Sequence, residues 1–169
     1  GSARNATNKQ IGQMGVVRTQ YQLGNYHDAA RAATEFLSNS NLSPETTIEA
    51  RHLRGKAYQQ ANEMSNAIDD FQFVSNDTRN IYGAEAQFIL ANHFFNQKSY
   101  DSAESQVKEF MQKGTPHQYW MARSLIVLSD TYLAKGDDFR ARQYLESLRN
   151  NYRGNEEDIQ QMINARLGN

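Results

Sequence analysis

The 169-residue chain has no cysteine, 2 prolines and 1 tryptophan. The missing thiols exclude disulfide scaffolds, thiol nucleophiles and thiolate metal sites together, but do not reveal the compartment. A bias of charge is missing too. With 18 basic and 19 acidic side chains the net charge is −1 and the pI about 6.5. The basic residues are scattered, so no clustered cationic field is present to hold nucleic acid or an anionic membrane. Long hydrophobic runs are absent as well. Segments such as Leu125-Ile126-Val127-Leu128 fall far short of the roughly 18 consecutive apolar residues of a membrane helix. Gly1-Ser2 reads as a cloning remnant, and no signal-peptide succession of charged, apolar and small residues follows it.

What is abundant is amide. The chain carries 16 Asn and 15 Gln, and its mean hydropathy of −0.81 comes largely from them. A hydrophilic chain of this kind could be disordered, but 11% aromatic residues and regular apolar spacing point to a fold with a thin core.

The spacing is helical throughout. Met121, Leu125, Leu128 and Tyr132 recur at intervals of four, three and four, as do Ala67, Phe71 and Val74, and Ala103, Val107 and Phe110. Period-2 runs of β-branched residues are absent. Ser43-Pro44 and Thr115-Pro116 each set an N-cap hydroxyl before a proline at the first helical position, and Gln118 completes a capping box with Thr115. Gly24 and Gly136 predict left-handed helix ends, and Asp137 caps the helix that follows. Asn155, before Glu156, Glu157 and Asp158, predicts the start of a last helix with the stripe Ile159, Met162, Ile163 and Leu167.

A repeat underlies these helices. Ala29, Ala67, Ala103 and Ala141 stand 38, 36 and 38 residues apart. Nine residues before each comes Gln20, Tyr58, Phe94 or Tyr132; three before those, Val17, Gly55, Ala91 or Ser129; and seven after each alanine, Phe36, Val74, Phe110 or Leu148. Small residues on paired helices permit a close approach of roughly 8–10 Å between axes, and the larger residues fill the space between successive hairpins.

In this pattern the chain resembles the tetratricopeptide repeat (TPR) family. The best units are Leu53-Arg-Gly55-Lys-Ala-Tyr58 with Ala67 and Phe71, and Leu128-Ser-Asp-Thr-Tyr132 with Gly136, Ala141 and Leu145. Departures are the missing tryptophan of the usual column, Gln20 in an aromatic position and a period longer than 34. The resemblance implies an all-α, right-handed superhelical solenoid: four hairpins at about residues 8–40, 44–77, 79–113 and 115–152 within 3–154, then a capping helix over 155–169. The longer period is similar to that of cell-envelope members. It implies a periplasmic or outer-membrane-associated protein of a Gram-negative bacterium, with a cytoplasmic location as the alternative.

No chemical constellation accompanies the repeat. His27, His52, His93 and His117 show no ligand spacing, so neither a metal nor another cofactor is expected. The neighbouring acids Asp69-Asp70 and Asp137-Asp138 point about 100° apart on a helix and do not converge on a substrate; Asp69-Asp70 reads as a solvated face. The resemblance therefore implies a non-catalytic scaffold or adaptor for a protein or peptide partner. The alternatives are a structural C-terminal segment stacked on upstream repeats, with self-association through its end faces, or an accessory subunit of an enzyme. The family's groove columns fall on Met14, His52, Phe88 and Ile126; on Arg18, Lys56, Asn92 and Asp130; and on Tyr21, Gln59, Phe95 and Leu133. The lysines of a carboxylate clamp are not reproduced. The groove reading selects His52, Lys56, Gln59, Phe88, Asn92 and Phe95, with His52, Lys56, Gln59 and Asn92 exposed, while for Phe88 and Phe95 core is favoured over groove, because aromatic stripes at helical spacing are usually buried.

Overall fold

In the computed structural model, which describes residues 1–168, the chain is all-helical. Nine helices and no strand occur among the described residues: α1 (Ser2–Gln22), α2 (Tyr26–Leu37), α3 (Pro44–Gln60), α4 (Met64–Val74), α5 (Ile81–Asn96), α6 (Tyr100–Lys113), α7 (Gln118–Ala134), α8 (Asp138–Asn151) and α9 (Glu157–Leu167). They divide into two compact units, Gly1–Asn76 and Asp77–Asn169.

Four turns share one geometry. Gly24, Asn62, Lys98 and Gly136 all have φ between 58° and 82°, and each lies five residues before an alanine of the repeat register. At each turn the left-handed residue donates its N–H two residues into the helix end, to Tyr21, Gln59, Phe95 or Leu133. The next N–H reaches the carbonyl of Gln20, Tyr58, Phe94 or Tyr132. This double bond pattern, a Schellman motif, satisfies carbonyls that a helix end would otherwise leave open. The left-handed position is thus a further column of the register, occupied by glycine at only two of its four places.

In the first unit, Met14, Val17, Ala33, Phe36 and Ala50 form one core cluster and Ala29, Ala30 and Ala57 another. Gly55 of α3 faces Phe71 of α4 so closely that a Cβ there would lie 3.0 Å from the ring. Asp70 is buried, in contrast to the solvated role expected of it. Arg51 Nε donates to its Oδ1 at 3.0 Å, while Arg54 donates to both oxygens at 2.8 Å. Two guanidinium groups supply enough charge-assisted hydrogen bonds to hold this carboxylate out of water.

In the second unit, Ala91, Val107, Leu128, Tyr132 and Ala141 form a core between α5, α6, α7 and α8. Ile126, Leu145, Leu148, Ile159 and Ile163 join α7 and α8 to α9.

Two helix starts differ from expectation. α7 begins at Gln118, not Pro116, because the Thr115 hydroxyl accepts from His117 N–H at 3.1 Å and donates to the Thr78 carbonyl at 2.6 Å. The hydroxyl is engaged before the helix begins. Gln118 donates its side-chain amide to the Thr115 carbonyl, so no capping box closes. α9 begins at Glu157 with Glu156 as N-cap, leaving Asn155 in the loop. Ser43 and Asp137 do cap their helices, accepting from Thr46 N–H and Arg140 N–H.

Candidate functional site

The positions selected from the sequence lie on α3 and α5. His52 on α3 is buried at 6% exposure, which corrects its expected place on an open surface. Lys56 and Gln59, one and two turns further along, are half-buried. Its column neighbour Met14 shows why such positions turn inward: Met14 packs with Ala50 and Leu53 of the following hairpin. In the second unit, Ile126 of the same column is 3% exposed and packs with Ile159 and Ile163 of α9. At Met14 and at Ile126 this first column therefore packs against the helix that follows within the same unit.

The second column is committed to ion pairs at two of its places. Arg18 of α1 donates to both Glu49 oxygens of α3, at 2.7 and 2.9 Å. Asp130 of α7 accepts two bonds from Arg166 of α9, at 2.7 and 2.8 Å. The polarity is reversed between the two sites but the connection is the same, from one first helix to the next helix stacked on it. In the third column Leu133 is exposed and Tyr21 half-buried.

On α5, Phe88, Asn92 and Phe95 are all half-buried. Phe88 stacks on Trp120 with centroids 5.6 Å apart, and the Arg123 guanidinium lies 4.5 Å over its ring. Phe95 packs beside Tyr100 at 5.7 Å. Both phenylalanines flank the core cluster of the second unit, so they carry packing and retain accessible edges. Of the structural register positions, Ala29, Ala67, Ala103, Ala141, Gly55 and Tyr132 are buried, while Tyr58 and Phe94 are half-buried.

Two features of the second unit escaped the sequence reading. The first is a polar network on α6 and α7. Glu104 accepts from Lys108 at 2.6 Å, from Lys135 at 2.9 Å and from the Tyr132 hydroxyl at 3.0 Å. Lys108 and Lys135 hold its carboxyl at about 2, well below the ordinary carboxylate value. Lys135 also donates to Asp101 at 2.7 Å. Beside the network, Lys108, Tyr132, Arg140, Gln143, Tyr144 and Ser147 line a cavity of about 470 Å³.

The second is a cavity of about 530 Å³ where the starts of α5 and α7 meet the loop before α9, lined by Ile81, Tyr119, Trp120, Tyr152 and Glu156 among others. These residues are 75 positions apart at the extremes, and only the packing of α5 on α7 and of α9 on α7 and α8 gathers them. A local signal existed in the paired aromatics Tyr119-Trp120, but they carried no spacing rule.

Among the described residues no three His, Asp or Glu side chains are grouped to hold a metal ion, and no helix is long and apolar enough to cross a membrane. Compared with known proteins, the chain matches no protein-family model and has no significant sequence match among curated proteins.

Proposed function

We propose that this protein is a non-catalytic helical-repeat scaffold of TPR type that holds a protein or peptide partner. The observation that carries this reading is the recurrence of one turn geometry and one small-residue packing position in all four hairpins. A one-dimensional stack of like hairpins is an architecture whose side chains are spent on neighbour contacts and on an extended binding face. Lys56 and Gln59 in the first unit and, separately, Asn92 and Phe95 in the second are the residues proposed to meet a partner. They offer the mixture of amide, cationic and aromatic groups that suits a helix or an extended peptide. His52, being buried, is assigned to packing. A cell-envelope location remains part of the proposal, from the family resemblance alone.

The test is affinity capture from a bacterial envelope extract with identification of the captured proteins, comparing wild type with a triple variant Lys56→Ala, Asn92→Ala and Phe95→Ala. The scaffold reading expects a defined set of proteins lost by the variant while its helical circular dichroism is retained. Identical captured sets for the two proteins would remove the basis for assigning these positions to a partner.

A second reading is favoured by one observation. Ile11 and Val16 of α1 and Leu23 at its C-terminal cap are 65%, 50% and 68% exposed. In that reading the chain is the closing piece of a longer array, its first helix covered by a preceding repeat and its last hairpin covered by α9. Light scattering decides: self-association that disappears in a variant carrying Ile11→Ser, Val16→Ser and Leu23→Ser supports it, and a monomeric wild type opposes it.

A further inference from the structure

The 530 Å³ cavity of the second unit has an unusual lining for a surface recess. Three aromatic rings, Tyr119, Trp120 and Tyr152, contribute to its walls together with Ile81, and the carboxylate of Glu156 lies at its edge. Trp120 is fixed on two sides, stacked on Phe88 and meeting Tyr119 edge-on at 4.9 Å and 72°. Both phenols are turned toward acids. The Tyr119 hydroxyl donates to Asp158 Oδ2 at 2.8 Å, and the Tyr152 hydroxyl donates to Glu156 Oε2. Gly154 lies beneath the second contact, and a Cβ there would force the Tyr152 hydroxyl and Glu156 Oε2 to shift.

Phenols that donate to carboxylates keep their rings electron-rich, and aromatic faces carry negative potential toward the space they enclose. Burial and these acids raise both phenols above their ordinary value, in keeping with neutral hydroxyls that donate to carboxylates. The nearby cation is Arg123, which donates to the Tyr119 hydroxyl at 2.9 Å and lies over the rings of Phe88 and Tyr119 at 4.5 and 5.8 Å. Among the lining residues Glu156 is the one acid and His117 the one imidazole, its Nε2 engaged at 2.8 Å by the Arg79 carbonyl; with Asp158 on the Tyr119 hydroxyl, carboxylates face the recess from two sides and an anion is disfavoured. Arg123 shows that one ring of the lining, Tyr119, already accepts a cation over its face, as does the neighbouring Phe88. A hard metal ion would need about six oxygen ligands, which the lining does not supply.

We propose that this cavity binds an organic ammonium cation with alkyl bulk, seated against Tyr119, Trp120 and Tyr152 and neutralised by Glu156. The alkyl groups match the apolar walls and the positive charge matches the ring faces and the acid. The cation is either a free solute such as choline or the methylated lysine side chain of a peptide, which share this chemistry. The proposal does not rest on the scaffold reading, because it concerns a small ligand group and none of the residues proposed above to meet a partner.

Trp120 is the only tryptophan of the chain, so its fluorescence reports directly on the cavity. The whole chain is titrated at matched ionic strength with choline, with its neutral isostere 3,3-dimethylbutan-1-ol and with a short peptide bearing trimethyllysine. The expected result is a saturable change with a cation and binding of the isostere weaker by about tenfold, within the range of a partly desolvated cation–π contact. Glu156→Gln, which still accepts the Tyr152 hydroxyl, is expected to weaken choline binding severalfold with an unchanged melting curve. Should that variant lose its fold, Trp120→Leu read by calorimetry takes its place, with loss of choline binding expected. Tighter binding of the peptide assigns the cation to a partner's side chain; equal or tighter binding of choline assigns it to a solute. Equal binding of choline and the isostere, or no saturable change with any cation, overturns the proposal.

Discussion

Ser129 of α7 donates its hydroxyl to the Ala141 carbonyl of α8 at 2.8 Å, joining the small-residue column of the first helix to the alanine column of the second. Both residues are buried, at 2% and 5% exposure. The bond lets the two backbones approach without leaving the hydroxyl unsatisfied. Ser129→Ala, which keeps the close approach and loses only this bond, is expected to cost about 1 kcal/mol. Ser129→Leu forces the helices apart and is expected to cost about 3 kcal/mol. Urea unfolding midpoints measure both, and equal losses would show that the spacing of α7 and α8 is not limiting.

The corresponding position of the second hairpin is Gly55, set against a fully buried Phe71. Gly55→Leu is expected to destabilise by about 2–3 kcal/mol through overpacking. Gly55→Ala sets helix propensity, a gain of roughly 1 kcal/mol, against a ring that must give by a few tenths of an ångström, and a net change near zero is expected. Thermal denaturation of the two variants side by side checks the order.

Lys98 holds φ at 58° where Gly24 and Gly136 fill the same turn position. A Cβ in this region costs on the order of 1 kcal/mol. Lys98→Gly is therefore expected to raise stability by up to about 1 kcal/mol, and Gly136→Ala to lower it by a similar amount. No change in Lys98→Gly would mean that the glycine's freedom in the unfolded chain cancels the relief of strain.

Acid should weaken the second unit through Glu104. Its carboxyl in the folded chain lies at about 2, below the ordinary 4.5, because Lys108 and Lys135 favour the charged form. The stabilisation is present in full above the ordinary value and is lost as pH falls toward and through about 2. Glu104→Gln is expected to be less stable than wild type at pH 7 and to converge with it below about pH 2. A stability difference that stays constant across this range would show that the Glu104 charge contributes nothing.

The helical content and its punctuation were legible without coordinates. The 3.6-residue apolar period, Ser43-Pro44, Gly24, Gly136 and Asp137 each announced a local feature that depends on neighbouring residues only, and each occurs at its expected place. Thr115-Pro116 carried the same local signal and led to a different start, because Thr78, 37 residues away, claims the threonine hydroxyl. Asp70 misled for a similar reason: two arginines of the preceding helix bury it, while the adjacent Asp69 is exposed.

The candidate site was less legible than the helices. Periodicity placed His52, Phe88 and Ile126 in one column, but whether a column faces solvent depends on what the next helix lays upon it. In the second unit that helix is α9, which covers Ile126 and ties Asp130 through Arg166. The aromatic cavity joins the starts of two helices to a loop far along the chain, and no spacing rule links Ile81 to Trp120 and Glu156.

By itself, then, the sequence determined an all-α chain, its register of small and large residues and two of its four left-handed turns, at Gly24 and Gly136, because these follow from helix geometry and backbone sterics within a few residues. Tertiary structure alone decided which members of each column are buried, which charges are paired and where aromatic rings enclose a space. Those outcomes depend on contacts between helices, where one stacked neighbour turns the same side chain from exposed surface into core.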